Sequence, residues 1–261
     1  MMELLAKYGP LLLTGIADTL YMTALSTLFA YVLGMPMGVA LFVTKKGGIA
    51  ENRPFNAIFG WCVNILRSIP FIILVAALFP VTRVVVGTII GNNAAIVPLV
   101  VSAAPFVARM VEQSLEEIDA GVIEAARCMG ATNWQIITRV LLVESVPSII
   151  RGVSITTITI IGYGAMAGAV GAGGLGRIGY SYGFQRFNAP VMYTTVVLLI
   201  VIVCIIQGVF NQLAKRLDKR NPKTATRGNP ASPTALQYAA STDAAVLQDT
   251  LLRSARAKRD Q

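Results

Sequence analysis

The 261-residue chain contains no histidine and few charged residues. Asp, Glu, Lys and Arg make up 13% of it, against roughly 25% in an average soluble domain. The lack of histidine removes the side chain that most often acts as a general base or metal ligand. A membrane-embedded enzyme would need a nucleophile paired with a base, or a metal cluster. We therefore predict no catalytic residues and no metal site.

Cysteine is also scarce. Cys62, Cys128 and Cys204 lie far apart and form no Cys-x-x-Cys pair, so their spacing indicates neither a disulfide framework nor a metal site. We predict that they are small buried apolar side chains.

Two further absences limit how a transporter of this sequence could be driven. The motif Gly-x-x-x-x-Gly-Lys-Ser/Thr does not occur, so the chain has no phosphate-binding loop of its own. The apolar segments also lack the carboxylates and histidines of proton relays, and Asp18 is the only acidic residue near a span. We therefore expect no cofactor on this chain, which is either passive or driven by a partner.

Long apolar runs dominate what is present. The chain is 55% hydrophobic, with a mean hydropathy of +0.65, and a helix of about 20 apolar residues crosses a bilayer. The first run is too long for the apolar core of a signal peptide and is read as a retained helix. We predict an all-α integral membrane protein with five spans: Thr19–Thr44, Pro54–Thr82 (interrupted by Arg67), Val84–Ala108, Gly152–Gly176 and Phe187–Ala214.

The distribution of Lys and Arg predicts the orientation. With a cytoplasmic C-terminus, seventeen of these residues lie inside and four outside, as the positive-inside rule favours. This predicts an extracytoplasmic segment 1–18, a membrane domain 19–214 and a basic cytoplasmic tail 215–261. The tail is interpreted as solvated, disordered and attracted to anionic lipid, with no role in binding nucleic acid.

The loop between the third and fourth predicted spans, about residues 116–142, has the pattern of two short helices joined at Gly130. Asp119 can cap the first helix, and Thr132 with Gln135 forms a capping box for the second. Glu124 and Arg127 are close enough in sequence to pair. Such an elbow could lie on lipid as an amphipathic hairpin, or dock on a cytoplasmic partner through its small residues.

The residues Glu124-Ala125-Ala126 followed by Gly130 resemble the EAA loop of binding-protein-dependent ABC importer permeases. In that family the loop forms a coupling helix seated on the ATPase. The resemblance implies an ATPase-coupling role for Glu124, Ala125, Ala126, Arg127, Met129 and Gly130. Val143 stands where the family pattern has proline, and Pro147 follows four residues later.

Three flanking stretches, 67–80, 91–115 and 164–183, resemble methionine importer permeases, and the likeness covers about residues 10–215. It implies a type I ABC importer permease fold in the bacterial inner membrane. The implied partners are a second copy, an ATPase dimer carrying ATP and Mg²⁺, an extracytoplasmic binding protein and a small-molecule substrate. An importer of another small solute, a passive channel or a secondary transporter remain alternatives.

The glycine-rich fourth span contains one long flexible side chain, Met166, between Gly164 and Gly168. The small residues indicate a helix-packing face, whereas paired Met166 side chains at a two-fold axis could close a path. We therefore predict Met166 as a gate. Asn92 and Asn93 could bond between helices or line the path, and Arg67 is a structural or pathway residue. The outer stretch after this span carries Tyr180, Tyr182, Phe184, Arg177 and Arg186, which suit either an interfacial belt or a docked binding protein.

Overall fold

The computed structural model describes residues 2–217, with side chains from residue 8 onward. Nearly all of the predicted tail, from residue 218, lies outside the described residues. All regular secondary structure in the described chain is helical, and it includes two π-helical segments. The elements are α1 (Met2–Thr44), α2 (Arg53–Ser68), α3 (Phe71–Ala77), α4 (Phe79–Val86), α5 (Asn92–Glu116), α6 (Ala120–Cys128), α7 (Asn133–Gln135), π1 (Ile136–Leu141), α8 (Leu142–Glu144), α9 (Val146–Ala169), α10 (Gly174–Ile178), π2 (Gly179–Phe184) and α11 (Ala189–Leu217).

Four segments are long and apolar enough to cross a membrane: 8–44, 92–116, 146–184 and 189–217. The pair α2 and α3 passes the same test together but is bent by 100°. The all-helical class is confirmed, and the count reaches five only when the bent pair is taken as one span. The first candidate span begins at Tyr8, earlier than the predicted Thr19, within a helix α1 that begins at Met2. The prediction began the span after Asp18 because it required an uncharged run. The helix itself includes both Lys7 and Asp18 near its N-terminal end.

The predicted span Pro54–Thr82 is not one continuous helix, because α2 ends at Ser68 and α3 begins at Phe71 in a direction bent by 100°. Proline lacks a backbone N–H and disfavours helical geometry in the residue before it. Ile69 is accordingly extended, with φ −77° and ψ 123°, and Pro70 begins α3 in a new direction.

The third span begins at Asn92 and ends at Glu116, later than the predicted Val84–Ala108. Left-handed Gly87 ends α4, and left-handed Gly91 precedes α5. The fourth span ends its first helix at Ala169 rather than Gly176 and continues into α10 and π2 after a turn. The fifth differs from its prediction by a few residues only.

The helix α5 lies at the centre of the bundle, and α1 crosses it closely. Gly34 and Gly38, four residues apart on α1, meet the backbone of α5. A Cβ on Gly34 would lie 2.6 Å from the Ala104 carbonyl oxygen, and one on Gly38 2.4 Å from that of Ala108. Small residues at this spacing allow close helix approach in lipid. Around the crossing lies a buried core that includes Ala30, Leu99, Val107, Val111 and Leu115.

The helix α2 turns its polar side toward the bundle. Asn56 Nδ2 donates to the Leu41 carbonyl oxygen at 2.7 Å, and Asn64 Oδ1 accepts from Arg109 at 3.0 Å. Its exposed side carries Ile58 and Trp61. This arrangement suits a helix whose outer surface faces lipid, where polar groups bond inward.

The prediction that the three cysteines are buried was wrong, because Cys62, Cys128 and Cys204 are all exposed. Cys62 on α2 and Cys204 on α11 can face lipid without the cost that water would impose, whereas Cys128 lies in the elbow helix α6.

Candidate functional site

The elbow between α5 and α9 has the local structure that its sequence predicts. The Asp119 carboxylate accepts a 2.7 Å hydrogen bond from the Gly121 N–H and caps α6. At the other end, Gly130 adopts φ +79°. The Gly130 N–H donates to the Arg127 carbonyl and the Ala131 N–H donates to the Ala126 carbonyl, which is the hydrogen-bond pattern of a Schellman motif.

The predicted capping box is also present. The Gln135 N–H donates to Thr132 Oγ1 at 3.3 Å, and the Thr132 N–H donates to Gln135 Oε1 at 2.9 Å. The helix then widens into π1 rather than continuing as a regular α-helix. Ile136 and Leu141 are both fully buried, and five residues along an α-helix would point to different sides. The wider π turn brings them to the same side.

Pro147 lies at the start of a helix, four residues after Val143, which stands where the family pattern has proline. Val143 is exposed in α8, and Ser145 separates α8 from α9. Pro147 lies in the first turn of α9, where a missing N–H costs nothing.

The inner face of the elbow belongs to the hydrophobic core that also includes residues at the ends of α1 and α5. Ala126 and Ile136 are buried in the same core cluster as Phe42, Val43 and Ile118. Beside this contact, Lys45 Nζ bonds Glu116 Oε1 at 2.8 Å and ties α1 to α5. The elbow, the end of α1 and the end of α5 therefore share one buried core.

Two features of the elbow differ from the prediction. Ala126 belongs to the buried inner face, because helical periodicity places it toward the bundle and Ala125 away from it. The expected Glu124–Arg127 ion pair does not form among the described residues, since both exposed side chains are free to extend into solvent.

The outer face of the elbow combines exposed charges with exposed apolar side chains. Glu124, Ala125, Arg127 and Gly130 are all exposed. Met129 is 81% exposed, and Trp134, which sequence reasoning did not select, is 72% exposed. Exposed apolar groups framed by charges are typical of protein–protein contact surfaces. The sequence signal that could have identified Trp134 was the presence of a tryptophan four residues after Gly130.

Met166 lies on a side of α9 that the described residues leave uncovered. It is 53% exposed, and Ile155 and Gly162 are exposed on the same side. A Cβ on Gly162 or Gly164 would meet nothing within 4 Å.

Gly168 has a different role and lies in a close contact between α9 and α10. A Cβ there would lie 2.3 Å from the Arg177 nitrogen, and one on Gly176 would lie 2.4 Å from Ala165 Cα. The packing interpretation of the glycine-rich span therefore applies to Gly168, whereas Gly164 and Met166 face open space.

The remaining predicted path residues lie in separate places. Asn93 Oδ1 accepts a 3.0 Å hydrogen bond from the Tyr21 hydroxyl and so links α5 to α1. Asn92 lies against the turn before α10, because a Cβ on Gly173 would be 2.0 Å from Asn92 Oδ1. Arg67 is exposed in the last turn of α2, with its guanidinium 5.8 Å from the Phe106 ring centroid.

A polar node that sequence reasoning missed connects α2 with α5. Arg109 donates to Glu112 at 2.7 Å, to the Gly60 carbonyl oxygen at 3.1 Å and to Asn64 Oδ1. The sequence shows Arg109 only as one of several basic residues near a span end, and its partners on α2 are 45 to 49 residues away.

A family model for the "binding-protein-dependent transport system inner membrane component" matches residues 30–220. The probable D-methionine transport system permease protein MetI of Vibrio cholerae is 51% identical over 215 residues, which cover 82% of this chain and 96% of that protein. The methionine import system permease protein MetP of Bacillus subtilis is 48% identical over 203 residues, covering 78% and 91%.

Among solved structures, an inward-facing form of the MetNI methionine ABC transporter matches with a TM-score of 0.81 and 51% identity. The match covers 82% of this chain and 99% of that one. An amino acid ABC transporter solved with histidines matches with a TM-score of 0.64 at 18% identity, which is a likeness of fold alone.

Proposed function

The chain belongs to the family of binding-protein-dependent transport system inner membrane components, and on this premise we propose that it is the permease subunit of an ATP-driven importer of methionine. The observation that supports methionine as the substrate is the 51% identity to a D-methionine transport permease along 96% of that protein. A likeness of this extent includes the elbow, the glycine-rich span and the outer stretch together.

The elbow supports a separate ATPase as the source of energy. Its exposed face, with Met129 and Trp134 framed by Glu124 and Arg127, suits a cleft on a cytoplasmic partner. Its buried face shares a hydrophobic core with the ends of α1 and α5. Closure of two ATPase subunits on ATP and Mg²⁺ would thus turn the helices as rigid bodies. The chain itself is not the ATPase in this proposal.

A homodimer supplies the path. The uncovered side of α9 around Met166 offers a surface for a second copy, and a two-fold axis is the commonest symmetry of such assemblies. Met166 acts as the gate, with Gly164 leaving space beside it. An extracytoplasmic binding protein delivers the substrate to the outer end, where the N-terminus lies, and the C-terminus lies in the cytoplasm.

The function is tested by uptake of radiolabelled methionine in a bacterial strain that lacks its own high-affinity methionine importer. The chain is expressed with its ATPase and binding protein, and we expect ATP-dependent accumulation. A matched strain carries an ATPase variant that binds but does not hydrolyse ATP and accumulates nothing. Accumulation of another amino acid, but not methionine, contradicts the substrate. Uptake without the ATPase contradicts the energy source.

A further inference from the structure

A polar cleft opens at the end of the bundle opposite the elbow. Its volume is about 530 Å³, and it lies between residues 11–18 of α1 and the segment α10–π2. The charged side chains that line it are Asp18, Arg177 and Arg186. The elbow and the Lys45–Glu116 pair mark the other end of α1, so the cleft faces the side from which an importer receives its substrate.

The acid and the bases in this cleft are not paired with one another. Within the described part of the chain, no ion pair of 4 Å or less joins Asp18 to Arg177 or Arg186. The Arg186 guanidinium instead lies over the Tyr182 ring, 4.5 Å from its centroid. A carboxylate and a guanidinium that share one cleft without contact leave room for a ligand carrying both complementary charges.

Asp18 is held in place by the turn that precedes α10. A Cβ on Gly173 would lie 3.0 Å from Asp18 Oδ2, so the absent side chain permits this approach. On the next residue of α1, Thr19 Oγ1 accepts a 2.9 Å hydrogen bond from the buried Leu175 N–H. The two walls of the cleft are therefore joined at its floor, which fixes Asp18 relative to α10.

We propose that this cleft binds the charged backbone groups of a free α-amino acid, with Asp18 accepting from its ammonium group and Arg177 donating to its carboxylate. The inference rests on the proposed function and names a site within it. Charge-assisted hydrogen bonds of this kind are the stronger ones in proteins. The side chain of the ligand would lie in the rest of the cleft, which is lined by Leu11 and Ile178 among others.

The cleft is mechanically connected to the gate segment. The Arg177 backbone nitrogen packs against Gly168, and Gly176 packs against Ala165, the neighbour of Met166. A ligand that orders α10 would therefore also restrict α9 near Met166, because the contacts at Gly168 and Gly176 leave no room for a methyl group between the two helices.

The test measures binding of radiolabelled L-methionine to the purified complex of this chain with its ATPase, with the binding protein omitted. Two competitors separate the charges: N-acetylmethionine lacks the ammonium group, and methionine methyl ester lacks the carboxylate. For the wild type we expect each competitor to bind roughly tenfold or more weakly than methionine. Asp18→Asn should weaken the binding of methionine by a similar factor and leave the affinity for N-acetylmethionine unchanged. Arg177→Gln should weaken the binding of methionine and leave the affinity for the methyl ester unchanged.

The control is Arg83→Gln, which removes an exposed positive charge on α4 and should leave all three affinities unchanged. Assembly with the ATPase, measured by size-exclusion chromatography, shows that each variant is folded. Unchanged methionine affinity in both cleft variants overturns the proposed site while leaving the proposed function intact. Weaker docking of the binding protein with unaltered competitor ratios also overturns it, because the cleft is then a protein contact. A wild-type complex that supports no methionine uptake indicates failure of the proposed function itself.

Discussion

At the residue scale, the glycines differ by what surrounds them. Gly34 and Gly38 on α1 and Gly168 on α9 lie where a methyl group would collide with the backbone of another helix. Gly162, Gly164 and Gly208 lie in helices with open space beside them. The first group sets how closely helices approach, and the second leaves surface for lipid, a second copy or a path.

Replacing Gly38 by Ala is expected to destabilise the bundle. The added Cβ would lie 2.4 Å from the Ala108 carbonyl oxygen and 2.7 Å from Val111 Cβ, and overpacking of this kind costs about 1–3 kcal/mol. The thermal unfolding midpoint in detergent should fall by several degrees. Gly208→Ala is the matched control, because its Cβ meets nothing within 4 Å and alanine favours a helix. An equal midpoint for the two variants contradicts the close crossing.

Replacing Met166 by Ala is expected to raise passive leak of methionine through the assembled transporter. Truncation removes the long side chain that closes the proposed path and adds no charge. The measurement is efflux of labelled methionine from proteoliposomes without ATP, several-fold above the wild type. Leak and ATP coupling that both stay at wild-type levels count against the gate. Gly208→Ala again serves as the control.

At the element scale, the elbow is specified by its caps and oriented by its buried face. Asp119, Gly130 and the Thr132–Gln135 box fix where its helices begin and end. Ala126 and Ile136 then fix which side faces the bundle. The result is a rigid part that projects Met129 and Trp134 outward.

Met129→Ala is expected to weaken association with the ATPase by about tenfold, as removal of a buried anchor at an interface does. The chain itself should remain stable, because the side chain is 81% exposed in the isolated subunit. Pull-down of the ATPase at graded concentrations measures the change. Val84→Ala removes an equally exposed side chain from α4 and should retain wild-type association. A loss of the same size in both variants would argue against a specific contact.

The loop after α1 has a pH-sensitive contact. Glu51 Oε2 accepts from the Gly47 N–H at 2.8 Å, and Oε1 accepts from Arg53 Nε at 2.5 Å. These bonds favour the carboxylate and lower the pKa of Glu51, chiefly through the Gly47 N–H. The pKa of Glu51 is lower in the folded loop than in an unfolded chain, so the contact stabilises the loop fully at pH values above the pKa of the unfolded chain. This stabilisation is lost as the pH falls through the pKa that Glu51 has in the folded loop.

The shift can be measured by titrating the glutamate carboxyls in selectively ¹³C-labelled protein, with Glu51→Gln identifying the resonance. We expect a midpoint below that of a short peptide of residues 45–53. Arg53→Gln should move the midpoint toward the peptide value without reaching it, since the Gly47 bond remains. A midpoint at or above that of the peptide would show that the loop contact is not made in solution.

At the scale of the whole molecule, α5 forms a central post, with α1 crossing it, α9 beside it and α2 bonded to it through Arg109 and Asn64. Residues 2–217 of a single copy leave one side of α9, around Met166, uncovered. A two-fold assembly that pairs the Met166 faces would cover it and enclose a path.

Pairing of these faces is tested by cross-linking. In a variant with Cys62, Cys128 and Cys204 replaced by Ala, Met166→Cys should form a disulfide-linked dimer on oxidation, since a disulfide requires Cα atoms within about 7 Å. Val197→Cys, on an exposed side of α11, should stay monomeric on denaturing gels. Equal cross-linking at both positions would indicate random collision, and none at position 166 would contradict the proposed axis.

Hydropathy and local chemistry determined much of this protein from sequence alone. The helical class, the approximate spans, the caps of the elbow and the left-handed Gly130 follow from interactions between residues that are near in sequence. The break at Pro70 is local as well, whereas the elbow side that Ala126 faces and the glycines that touch backbone were decided by contacts between distant segments. The same holds for the Arg109 node and for the cleft that Asp18 and Arg177 both line, since a residue's type does not identify which distant residues will lie near it. Lipid also rewards apolar residues on either side of a helix, so hydrophobicity could show that a helix crosses the membrane but not which of its faces is inside the bundle.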